Sequence, residues 1–138
     1  VAEIIADIRA CGDEALLALT ARYDDFEVGS VAELAISTDV LQAALASLVN
    51  ELRQSLELAS ARIQSFHEKQ SLDGFAYRDE AGVRLAMRHT PVDAVGLYVP
   101  GGKAAYPSSV LMNAIPAVVA GVKRRVMVVP ARNGEVND

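Results

Sequence analysis

One segment constrains the fold more than any other: Val95 to Pro130, which reads VGLYVPGGKAAYPSSVLMNAIPAVVAGVKRRVMVVP. It predicts a complete strand–loop–helix–strand unit with a glycine pair at the end of the first strand. Val95-Gly96-Leu97-Tyr98-Val99 is short and almost wholly apolar, the pattern of a strand buried on both faces of a parallel sheet. Pro100-Gly101-Gly102 stops it. Ser108 or Ser109 is then placed to cap the amides that open a helix, and Gly121 to supply the left-handed position that closes it. Pro116 lies within that helix, where it removes a donor and predicts a kink. Val126-Met127-Val128-Val129 reads as the second buried strand, completing a βαβ crossover. A loop at the carboxyl end of such a strand, above a helix N-terminus, is where open α/β sheets bind anionic ligands such as phosphate. Neither G-x-G-x-x-G nor G-x-x-x-x-G-K-[ST] is present, so on residues alone a ligand loop and a plain βα turn stay equally open.

The first half reads helical. Ile4, Ile5 and Ile8 form an apolar stripe, Gly12 interrupts it, and Asp13 is placed to cap a second helix that Asp24-Asp25 ends. Leu34-Ala35-Ile36 suggests a brief strand, after which Ser37 or Thr38 caps a helix through Leu41, Leu45 and Leu48. From about Glu51 to Lys69, Leu52, Leu56, Ala59, Ile63 and Phe66 recur at spacings of four and three, one apolar stripe along a long helix. That stripe has to bury against the chain's own core or against a second subunit. Phe75-Ala76-Tyr77 and Val83 to Arg88 alternate around Asp79-Glu80-Ala81-Gly82, which predicts a β-hairpin. The division expected is a helical region over 1–70 and a hairpin followed by an α/β domain over 71–138.

Composition removes several classes of function. A net charge of −5 and a pI near 5.0 argue against nucleic acid, whose phosphates demand clustered Lys and Arg. Lys123-Arg124-Arg125 is the only basic run and reads as a solvated strand edge. Without about 18 uninterrupted apolar residues or a charged-then-apolar leader, no membrane partner is expected and a cytoplasmic location is the default. The lone Cys11 excludes an internal disulfide and reads as a helix-packing residue. His67 and His89, the only histidines, lie far apart in sequence without H-x-x-x-H or C-x-x-C spacing, so no metal site is expected from them. Ser108-Ser109 lacks a surrounding G-x-S-x-G, and Asp24-Asp25 sit adjacent at a helix end, where side chains point apart.

As a continuous string, LYVPGGKAAYPSSVLMNAIPAVVAGVKRRVMVVP resembles the histidinol dehydrogenase family. Gly12 to Leu16 followed by Tyr23-Asp24, Arg62-Ile63 with Phe66 to Gln70, and Arg88 to Pro91 fit the same resemblance, which runs from about Val1 to Val129. It implies an α/β fold: amino-terminal helices and a β-hairpin leading into the first βαβ of an incomplete Rossmann-like, aldehyde-dehydrogenase-like domain. It also implies an NAD-dependent, zinc-requiring oxidoreductase of histidine biosynthesis that takes L-histidinol through L-histidinal to L-histidine, acting as a homodimer. Tyr98 matches the family's NAD-contacting tyrosine. Pro100, Gly101 and Gly102 then form the loop beside the cofactor, Lys103 departs from the small residue common there, and Tyr106 is a further aromatic candidate. The family's zinc ligands and proton-transfer pair match no residue of this chain, which is therefore expected to be an amino-terminal piece, inactive alone. Alternatives of other kinds are a non-catalytic phosphate-ligand-binding or dimerisation module, and another aldehyde-dehydrogenase-like oxidoreductase.

Overall fold

The computed structural model describes residues 1–70, 73–101 and 106–136. The chain falls into two compact units, one of Val1–Arg53, Pro100–Tyr106 and Val129–Asp138, the other of Gln54–Val99 and Pro107–Val128.

In the first unit, helix α1 (Ala2–Cys11) and helix α2 (Asp13–Asp24) meet at Gly12. This glycine adopts φ 56°, ψ −126°, a backbone state closed to residues with a Cβ, and its N–H still donates to Ile8 O. Gly12 is itself the residue ahead of α2. Asp13 is the first helical residue rather than the cap, a position where its carboxylate is favoured by the helix dipole. Asp25 ends α2 in the left-handed region at φ 52°. The expected strand at Leu34–Ile36 is absent: Val31–Leu34 coils into a 3₁₀ turn, with Ser30 Oγ and Gly29 N–H both donating to the Glu33 carboxylate. Local side-chain bonds of that kind outcompete a strand that has no neighbour to pair with. Helix α3 (Thr38–Ser47) is capped as expected, Ser37 Oγ accepting from Val40 N–H at 3.3 Å.

Helix α4 (Asn50–Glu68) matches the predicted stripe. Along it Leu56, Ala59 and Ile63 are half-buried, whereas Leu52 and Phe66 stay exposed. In the second unit the hairpin pairs β1 (Phe75–Arg78) with β2 (Arg84–Met87), Phe75 opposite Met87 and Arg78 opposite Arg84. Its turn is held by Gly82 N–H to Asp79 O at 3.0 Å, by Val83 N–H to Asp79 Oδ1 at 2.9 Å, and by Gly82 at φ 81°. A type I turn followed by a left-handed glycine is a standard three-residue hairpin connection.

Strand β3 (Ala94–Tyr98), helix α5 (Pro107–Val119) and strand β4 (Arg124–Val128) form the expected unit, the strands parallel with Ala94 opposite Arg124 and Tyr98 opposite Val128. Helix α5 opens at Pro107, so Ser108 and Ser109 lie inside its first turn rather than capping it. Proline suits that first position because its missing N–H would have had no helical partner. The helix continues past Pro116 to Val119 and closes as Gly121 requires: Gly121 N–H donates to Val118 O and Val122 N–H to Ala117 O, with Gly121 at φ 83°. Both bonds together are the Schellman closure. The expectation of strands buried on both faces is not met by these residues. Val95 and Leu97 are half-buried beneath α5, their neighbours Gly96 and Tyr98 are exposed, and all of β4 is exposed. Two strands and one helix cover one sheet face only. Among the described residues Val99 and Val122, at 5% and 4%, are the buried hydrophobic side chains.

Candidate functional site

Tyr98 is the last residue of β3, and alternation along the strand turns it away from half-buried Leu97 and buried Val99. It is 63% exposed, so the ring face and the phenol O–H are both available to a ligand. One residue on, Val99 N–H donates to Val128 O at 3.1 Å, the last rung of the parallel ladder. Pro100 and Gly101 follow and are exposed. Gly101 is a place of close approach: a Cβ there would lie 3.3 Å from Pro130 Cδ and 3.3 Å from Pro130 O. Gly102 and Lys103 fall outside the described residues, and Tyr106, after them, is 45% exposed. At the start of α5 the amides of Ser108 and Ser109 precede the helical ladder, Pro107 having none, and the macrodipole makes this end attractive to an anion.

The two histidines did not read as neighbours in the sequence, yet in the second unit they line one open groove of about 400 Å³. Gln70 and Thr90 add polar atoms, and Pro91, Pro116, Val119 and Ala120 the apolar wall. His67 Nδ1 lies 2.6 Å from Gln70 Oε1; an amide oxygen only accepts, so Nδ1 carries the proton and Nε2 is left with the lone pair in the neutral ring. Helix register explains the first half of this arrangement, since positions 67 and 70 share a face. Bringing His89 alongside depends on the tertiary path through the hairpin, which no local spacing encodes. Among the described residues no group of three or more His, Cys, Asp or Glu comes together to hold a metal ion. No single helix among them is long and apolar enough to cross a membrane.

Helices together with a β-hairpin and a parallel β3–β4 pair that helix α5 connects define an α/β protein. The chain belongs to the histidinol dehydrogenase family, whose sequence model matches residues 1–138. It is 54% identical over 137 residues to a histidinol dehydrogenase of Methylococcus capsulatus, covering 99% of this chain and 31% of that protein. The corresponding enzyme of Acinetobacter baylyi is 51% identical over 135 residues, 98% of this chain and 31% of the relative. The crystal structure of histidinol dehydrogenase from Elizabethkingia anophelis superposes with a TM-score of 0.85 at 31% identity, across 98% of this chain and 31% of that one. The chain thus spans about a third of the length of the relatives it matches.

Proposed function

We propose that this chain is the part of an NAD-dependent histidinol dehydrogenase that carries a cofactor-contacting loop, in an enzyme that converts L-histidinol through L-histidinal to L-histidine. The family match supports the activity, and the exposed Tyr98 at the carboxyl end of β3 is the observation that carries the cofactor reading. NAD, when bound, supplies the hydride acceptor. Tyr98 offers its ring for stacking or its hydroxyl for a bond to ribose or phosphate, Gly101 presents backbone without side-chain bulk, and Pro100 and Gly102 are proposed as cofactor-loop residues on the family resemblance. The division into a helical region over 1–70 and an α/β region over 71–138 belongs to the same proposal. So do the Rossmann-like, aldehyde-dehydrogenase-like character of the α/β region, the homodimeric assembly and the cytoplasmic location.

Zinc, which the family implies, does not fit the described residues: His67 and His89 share their groove with Gln70 and Thr90 but with no third metal-binding side chain. Structural and catalytic zinc sites need at least three protein ligands. No step of the reaction is assigned to a metal held here, and the zinc ligands are proposed to lie outside this sequence.

Tyr98→Ala in the gene product that contains this chain tests the reading. KM for NAD should rise more than KM for histidinol. Equal changes in both, or no change with the fold retained, would defeat it.

A further inference from the structure

The Pro100-Gly101 segment is not free-standing. In the same unit, the segment that follows β4 is fastened to the end of α2 at two points. Arg132 donates from Nε and Nη2 to Asp25 Oδ2, at 3.3 and 3.2 Å. Gly134, at φ 76°, lies so close to Phe26 that a Cβ on it would stand 2.6 Å from ring carbon Cε2. Between this fastening and β4 lies Pro130, half-buried, and it is against the Pro130 ring and carbonyl that Gly101 rests. From these contacts we propose that Asp25 and Arg132 are positioning residues for Gly101: their ion pair holds Pro130 in the place against which Gly101, a residue proposed to contact NAD, rests. The inference rests on that reading of the loop.

The ion pair is 79% and 58% exposed at its two side chains, and a pair so hydrated contributes little to global stability. Its effect is therefore on where the 130–134 segment sits, not on whether the unit folds. Loss of the pair leaves the Phe26–Gly134 packing in place and lets Pro130 drift, which loosens Gly101 without unfolding α2.

The test uses Arg132→Glu, which sets two carboxylates against each other, and Arg132→Lys, which keeps the charge, both in the gene product that contains this chain. Arg132→Glu should raise KM for NAD by roughly threefold to tenfold while kcat and KM for histidinol stay near the parent, and Arg132→Lys should restore most of the loss. In parallel, the Gly101 backbone amide resonance should shift in Arg132→Glu relative to the parent, a measurement that needs no cofactor and reads the clamp even in a poorly active variant. An unchanged Gly101 resonance, or equal rises in both KM values, overturns the proposal. The Tyr98→Ala experiment separates the two ideas. A neutral Tyr98→Ala with a shifted Gly101 resonance in Arg132→Glu sinks the cofactor reading and supports the clamp, whereas an effective Tyr98→Ala beside an inert Arg132→Glu sinks the clamp.

Discussion

Gly134 and Phe26 are in contact so close that only hydrogen fits between them: a Cβ on the glycine would lie 2.6 Å from Cε2 and 2.9 Å from Cζ of the ring. Gly82 has a similar backbone, φ 81° against 76°, but nothing within 4 Å of its missing Cβ. The pair separates two costs of a side chain, left-handed backbone and steric overlap.

Gly82→Ala should destabilise by about 1–2 kcal/mol, the cost of placing an L-residue in the left-handed region. Gly134→Ala should lose about 1–3 kcal/mol more, because Phe26 has to move as well. Urea melts of the two variants decide it; equal losses would mean that the Phe26 contact does not hold the segment.

Helix capping provides a second contrast. Ser37→Ala should cost about 0.5–2 kcal/mol, since Ser37 Oγ accepts from Val40 N–H. Ser108→Ala and Ser109→Ala should each stay within about 0.5 kcal/mol, the range of ordinary surface changes, because α5 opens ahead of them at Pro107. A Ser108→Ala loss as large as that of Ser37→Ala in thermal or chemical melts would restore serine as the cap of α5.

Along α4, Leu56 is only half-buried, so Leu56→Ala in the 138-residue chain should cost less than about 2 kcal/mol, below the range of a fully enclosed leucine. Phe66, 61% exposed, should instead govern association. Phe66→Glu should shift sedimentation toward smaller species with little change in melting. A variant that melts far earlier while associating as the parent does would place Phe66 in the core.

The elements that read correctly from the sequence are those whose ends are local chemistry. Gly121 closes α5 because only a residue without Cβ adopts φ 83° at low cost, Asp79 and Gly82 close the hairpin within their own turn, and Ser37 reaches an amide three residues away. Errors arose where two local solutions compete. Gly12 rather than Asp13 precedes α2, Pro107 rather than a serine begins α5, and Val31–Leu34 coils where Leu34–Ile36 promised a strand. In each case the sequence offers more than one residue able to end or start the element, and backbone geometry selects among them.

Periodicity determined by itself that the chain contains amphipathic helices, a hairpin and a βαβ unit, and the ordered string around Tyr98 determined its family. Patterns of that kind are carried by neighbours within a turn of helix or a pair of strand residues, so they survive without knowledge of the rest of the fold. Only the tertiary structure decided which side chains are covered, that His67 and His89 line one groove, and that Asp25 finds Arg132 at a separation of 107 residues. Those outcomes depend on the path of the backbone between distant segments. A carboxylate or an imidazole looks the same in sequence whether or not that path supplies it with a partner.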